Sequence, residues 1–455
     1  MTQDATQTAT QAAAPPHMKR NVGLLATCQA LFNTSTGVML AVSALVGFKL
    51  APESQKWLAT TPHAVQWIST ACFAIPVAIM MRRLGRKNAF VFSALFGIAG
   101  ALVAAGSIFW QNFWVFMLAT IIFGGFTAAS QHYRFAAAEV ASEAFRSRSI
   151  SLVIGGGVVA AILGPEIAKW THTVASSWME QDAFSRAVAF ICGPGALNLG
   201  SGVGDADPYQ FAGTFLVVAL VPIVLIGIVS MVRFPPVPEP DFNEPPRTAG
   251  QLLGQPGFIV AVMCAVIGWG IMVFMMAATP LAMTAQFGLT TENAMLVTQL
   301  HMLGMFAPSF VTGWLIARYG LLNILLCGLA LSTMAALVGL TGGTMTQFLV
   351  ANVFVGSGWN FLFVGGTALL THCYRPVERE KAQGINDFLV FGTVAIFSGA
   401  AGWVQTGFGW TTVCIVMLPF IAIVAVAVAW LKFTPGAAPD SVSDARRAIP
   451  AAAAE

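Results

Sequence analysis

Twelve runs of about 20 or more mostly apolar residues, separated by segments that hold nearly all the charge, leave this chain few folds to choose from. A helix crosses a bilayer core with about 20 apolar residues, because no water is there to satisfy a backbone N–H or C=O. The runs are 21–47, 57–81, 88–109, 113–138, 150–170 and 211–233, taken as spans 1 to 6. Spans 7 to 12 are 256–283, 293–317, 321–341, 346–371, 384–408 and 410–432. Only 9% of the residues are charged, against roughly 25% in a soluble domain. The fold predicted is an all-α polytopic membrane protein of twelve transmembrane helices.

Residues 234–255 begin PPVPEPDFNEPP, which no helix accommodates, and divide the spans six and six. The expected organisation is an N-terminal six-helix bundle (21–233), a cytoplasmic linker (234–255) and a C-terminal six-helix bundle (256–433). Disordered cytoplasmic tails are expected at 1–20 and 434–455, with no cleavable signal because residues 1–20 lack an apolar core. Segment 171–210, rich in Gly, Asp and Ser, reads as a long loop. With the N-terminus inside, 18 of the 22 Lys and Arg residues fall on the inner side and 4 on the outer. The positive-inside rule therefore predicts both termini and the linker in the cytoplasm of a bacterial inner membrane. That bias also accounts for the net charge of +3, and no nucleic-acid partner is expected. The 7 cysteines form no CxxC, and all but the loop residue Cys192 lie in or beside apolar runs as free thiols.

The halves echo each other. AIMMRRLGRKNAF (78–90) follows span 2 and GWLIARYGLLN (313–323) follows span 8, so Arg83–Gly85 and Arg318–Gly320 occupy equivalent places. Pseudo-symmetric halves of this kind are built into many secondary transporters. The paired loops resemble the G-x-L-x-D-R-x-G-R-K signature of the major facilitator superfamily, with Arg83, Gly85, Arg86 and Lys87 matching. The signature aspartate, which helps latch the cytoplasmic gate in that superfamily, is Arg82 here and Ala317 in the second copy. The resemblance covers about residues 21–433 and implies that Arg83, Gly85, Arg86, Lys87, Arg318 and Gly320 form the cytoplasmic gate motif.

Inside the spans, polar side chains are few. HMLGM in span 8 places His301 and Met305 one turn apart, and IMVFMM in span 7 does the same for Met272 and Met276. These are the only HxxxM and MxxxM in the chain. Thioethers and one imidazole on consecutive helices are neutral, soft ligands that suit Cu(I); the plainer reading is methionine packing and a helix-to-helix hydrogen bond from the histidine. The pairs resemble those of the CcoA-like bacterial copper importers, a branch of the superfamily, as do QHYRFAAAE (131–139) and QGINDF (383–388). The resemblance implies Met272, Met276, His301 and Met305 as metal ligands, with Cys264 and Cys72 as auxiliary thiols. It also implies uptake of copper, as Cu(I), for assembly of haem–copper (cbb3-type) oxidases, with a copper chaperone as a possible partner. Relatives lacking the pairs are associated with other substrates, including riboflavin.

Glu166, Asp387, Arg134 and His132 are the other ionisable groups at membrane depth. They are candidates for proton coupling or gating, or for an arginine–carboxylate clamp that stabilises one conformation. The chain has no nucleotide-binding loop, nucleophile elbow or phosphorylation motif, so neither an enzyme nor a permanent cofactor is expected. Two rival functions stay open: a permease or exporter for a small organic solute such as riboflavin or a drug, and a non-transporting membrane metal sensor or assembly partner.

Overall fold

The computed structural model describes residues 17–52, 54, 55, 58, 61–171, 209, 211–234, 246–434, 436, 437 and 439. The expectations for most of both tails, for the heart of the linker and for nearly all of loop 171–210 with Cys192 lie outside the described residues.

Among the described residues the fold is helical throughout. The first half contains α1 (Met18–Leu50), α2 (Thr61–Phe109), α3 (Phe113–Ser130), α4 (Tyr133–Val140), α5 (Arg146–Gly155), α6 (Gly157–Thr171) and α7 (Ala212–Met231). After the short α8 (Ala249–Leu253), the second half contains α9 (Pro256–Leu281), α10 (Thr291–Phe306), α11 (Ser309–Tyr319), α12 (Leu321–Leu340), α13 (Met345–Thr371) and α14 (Arg379–Phe433). Nine of the described helical segments are long and apolar enough to cross a membrane. Two of these, α2 and α14, break at Gly85 and Gly409 and so make two passes each. With α1 the passes number twelve, each near its predicted run.

The sequence echo has a backbone counterpart. Gly85 (φ 77°, ψ 160°) and Gly320 (φ 88°, ψ 145°) turn the chain after spans 2 and 8 in nearly the same conformation. Both lie at positive φ, where a Cβ is strained, so the repeated glycine is a steric requirement. These glycines, the end of α7 and the start of α8 mark one end of the molecule, the linker face.

Two apolar cores build the halves. One holds only residues between Val22 and Val232. The other runs from Leu252 to Leu431 and recruits six first-half residues: Trp67, Ala71, Phe135, Ala138, Ile150 and Ile154. The halves meet along α2 against α14 and α5 against α11. Missing side chains let the backbones approach. A Cβ on Gly384 would lie 2.7 Å from that of Ala78, and one on Gly313 would lie 2.6 Å from Arg148 Cα. Spans 5 and 8 also break opposite each other, at Gly156 and at Ala307–Pro308, where Gly157 lies under the Phe306 ring.

Candidate functional site

At the linker face, charge crosses between the halves. Arg86, just past the Gly85 break, pairs with Glu139 at the end of α4 and donates to Gln383 Oε1 of α14 at 2.7 Å. Arg379 reaches the same Glu139 carboxylate from the second half at 3.3 Å. Lys87 donates to the Ser230 carbonyl within its own half (2.6 Å). Arg82 and Arg83 are exposed, and Arg318 lies over the Trp314 and Tyr319 rings. Of the gate motif, then, Arg86 alone bridges to the other half among these contacts, while Gly85 and Gly320 shape the backbone. Arg247 ties the end of the linker to Glu378 at 2.6 Å, and Lys381 donates to the Arg247 carbonyl.

Deeper in, Arg134 sits within span 4 and is 1% exposed. Its guanidinium pairs with Asp387 Oδ1 at 2.5 Å and lies over the Phe135 and Phe363 rings. His132, fully buried, faces the same carboxylate: its Nε2 is 3.6 Å from Asp387 Oδ2. Arg134, His132 and Asp387 thus form one cluster across the interface. Glu166 does not join it. That residue is half-buried on α6 and makes no ion pair among the described residues.

Between this cluster and the opposite face, aromatic rings from five passes converge. Trp67 of α2 stacks on Phe391 of α14 (5.5 Å, 13°) and contacts Trp269 of α9 (5.8 Å). Trp269 meets Trp359 edge-on at 5.1 Å, Trp359 stacks on Phe363, and Phe306 of α10 closes the group. The indole N–H groups of Trp269 and Trp359 are buried without an acceptor. None of these six residues stood out in the sequence. The available signal was tryptophan at mid-span, since membrane tryptophans otherwise favour the interfacial belts.

The Met/His residues begin one turn beyond. Trp269, Met272 and Met276 follow one another on one face of α9 at i, i+3 and i+7. Met272 and Met305 are buried, whereas Met276 is only partly so. His301 is fully buried, and its Nδ1 lies 2.7 Å from the Asn352 carbonyl oxygen. Nδ1 therefore donates, and Nε2 is left as a bare lone pair with no partner. The Asn352 side chain hydrogen-bonds Thr279, on the Met272 side of α9, so α9 and α10 both key into α13 at one residue. No three His, Cys, Asp or Glu side chains form a metal-binding group among the described residues.

The thiols fall elsewhere. Cys264 is buried eight residues before Met272, facing α13 at Gly366, about 12 Å along the axis. Cys72 is exposed in an apolar stripe with Ile68, Ile75 and Ile79.

Comparison with known proteins fits this architecture. The Major Facilitator Superfamily model matches residues 258–454. The riboflavin transporter RfnT of Brucella anthropi is 37% identical over 410 residues, covering 90% of this chain and 94% of its own. The chain belongs to the Major Facilitator Superfamily. An uncharacterised superfamily member of Bacillus subtilis, YdeG, is 26% identical over 82% of both chains. Among solved structures, the superfamily transporter FucP in its outward conformation superimposes with a TM-score of 0.67 at 14% identity, covering 91% of this chain and 99% of that one. Membership makes the chain a multi-pass membrane transporter and not an enzyme. The specific likeness to a copper importer is not what these comparisons favour.

Proposed function

We propose that the chain imports a planar heteroaromatic solute of the riboflavin class by alternating access, with its linker face toward the cytoplasm. The observation that carries the reading is the mid-membrane aromatic cluster with its two unpartnered indole N–H groups. A flat ring can stack on Trp67 or Phe391, and its ring nitrogens and carbonyl oxygens can accept from Trp269 and Trp359. Entry requires Trp67 to part from Phe391, and these belong to opposite halves. Rocking of the bundles supplies that movement. The relative named for riboflavin transport supports the same class.

A second reading rests on His301. An imidazole with Nδ1 fixed by a carbonyl and Nε2 free is prepared as a metal ligand, and Met305 and Met272 bring soft sulfur to the same part of the second half. In this reading the cargo is Cu(I), delivered for oxidase assembly.

One experiment separates the two. Labelled riboflavin and radioactive copper are offered to cells lacking their own importers that express wild type, Trp359→Phe or His301→Ala at matched levels. The first reading expects riboflavin uptake that falls about tenfold in Trp359→Phe, one lost hydrogen bond's worth, and little copper uptake in any strain. Copper uptake that collapses in His301→Ala, with no riboflavin uptake, replaces the first reading by the second.

A further inference from the structure

We propose that His132 and Asp387 bind one proton between them, across the two halves, and that this proton holds the linker face shut. The inference rests on superfamily membership and the geometry of the cluster, not on the identity of the cargo.

The contacts assign the hydrogens. Gln383 Oε1 accepts from Arg86 at 2.7 Å and lies 3.3 Å from His132 Nδ1. An amide oxygen next to that nitrogen requires Nδ1–H, so the neutral imidazole has its bare lone pair on Nε2. Asp387 Oδ1 is occupied by Arg134 (2.5 Å) and Asn386 (2.8 Å). What remains is His132 Nε2 facing Asp387 Oδ2 at 3.6 Å, each buried and each without a hydrogen-bond partner. Two acceptors that face each other in a dry interior are a cost that a single proton removes. The proton comes from hydronium, where one O–H bond breaks to leave water, and one N–H or O–H bond forms at the pair; no electrons are transferred.

The groups around the pair are its electrostatic frame. On α4 they are Arg134 and, one turn on, Glu139. Arg86 of α2 acts on both His132 and Asp387. At the start of α14, Arg379 and Glu380 belong to the Glu139 network. Tyr374, after α13, is hydrogen-bonded to Gln383 at 2.7 Å. Cys28 of α1 acts on Tyr133, and Arg146 of α5 acts on Tyr374. Arg86 and Arg134 are the charges against which the proton must bind.

His132 belongs to the first half and Asp387 to the second, so opening the linker face pulls the shared site apart. The closed state then holds the proton more tightly than the open one. By linkage, falling pH favours closure and rising pH releases it, by up to about tenfold in the closed-to-open ratio per pH unit.

The test uses the full chain in lipid nanodiscs, without cargo, with its native cysteines replaced by serine. Spin labels are placed at Leu84→Cys and Tyr319→Cys, exposed sites at the linker-face ends of the two halves. Distance distributions are recorded from pH 5 to pH 8. The expected result is a short-distance population that grows as pH falls in wild type and does not respond to pH in His132→Gln. Asp387→Asn is a second variant, used if it remains monodisperse. A wild-type distribution that ignores pH overturns the proposal. So does a His132→Gln protein that keeps the wild-type response, because some other group is then titrating.

Discussion

Replacing Gly313 by alanine tests whether the halves close by backbone contact. The new Cβ would lie 2.6 Å from Arg148 Cα and 2.8 Å from the Ser147 carbonyl oxygen. Both are backbone atoms, and neither can rotate away as a side chain would. The Gly313 N–H also donates to Ser151 Oγ across the interface at 3.0 Å, and that bond lengthens if the helices separate. Overpacking of a tight contact costs about 1–3 kcal/mol. Here the cost falls on the state closed at the linker face, because Gly313 and Arg148 belong to different halves. At about 1.4 kcal/mol per decade, the closed-to-open ratio should fall by roughly 5- to 150-fold. The spin-label pair at positions 84 and 319 reads this directly, with Gly399→Ala, which meets nothing within 4 Å, as control. A Gly313→Ala distribution that matches wild type would show that the approach does not limit closure, and the same argument for Gly384 against Ala78 would go with it.

Three further outcomes follow from named contacts. Arg134→Met leaves Asp387 buried without its main partner and should lower stability by about 3–5 kcal/mol, while Arg134→Met with Asp387→Leu recovers most of it; thermal melting in detergent decides. Gly85→Ala and Gly320→Ala each place a Cβ at positive φ and should cost about 1–2 kcal/mol apiece, with additive losses in melting temperature because the sites lie in different halves. Glu378 lies in the turn between α13 and α14; burial alone would raise its carboxyl, but hydrogen bonds from Arg247 and from backbone N–H groups override that and hold it down at about 2. A carboxyl held below its ordinary 4.5 contributes fully above that value and loses its contribution as pH falls toward 2. The stability gap between wild type and Glu378→Gln should therefore be constant above pH 5 and shrink below it.

The parts legible in the sequence are those set by local physics. Hydropathy alone places the twelve passes, because a continuous apolar run of about 20 residues satisfies its own backbone in lipid only as a helix. The repeated Arg-x-Gly gives the paired breaks at Gly85 and Gly320, because positive φ is a property of the residue itself. The pairing of Arg134 with Asp387, 253 positions apart, was not legible: membrane depth selects both residues, but only the docking of one half on the other joins them. The placing of Cys72 in an exposed apolar stripe was not legible either, since one thiol in an apolar helix carries no sign of which face it takes. The aromatic cluster was hidden by its own ordinariness, since Phe and Trp are everywhere in such a chain and only their convergence from five passes sets these six apart.

The missing aspartate of the gate signature has a structural answer. Arg82, in its place, is exposed and takes no part in the interface. The carboxylate at the centre of the linker face is instead Glu139, held by Arg86 from the first half and Arg379 from the second. Its removal leaves the buried Arg86 with no carboxylate and only the Gln383 amide oxygen, while Arg379 keeps Glu380 at 2.6 Å. Glu139 keeps 14% of its side chain exposed, so the loss belongs near the low end of the range for buried pairs, about 3 kcal/mol. Arg86 and Glu139 belong to the same half, so most of that loss is shared by the closed and open states; the part specific to closure is the 3.3 Å pair with Arg379 of the other half. Glu139→Gln should therefore lower stability overall and shift the 84–319 distance distribution toward the open state by about fivefold in population ratio, the ~1 kcal/mol of the one ion pair that crosses, while Arg82→Ala leaves it unchanged. If restoring aspartate at position 82 closed the face in the Glu139→Gln background, the latch would prove movable along α2, and Glu139 would be one solution among several to the same electrostatic need.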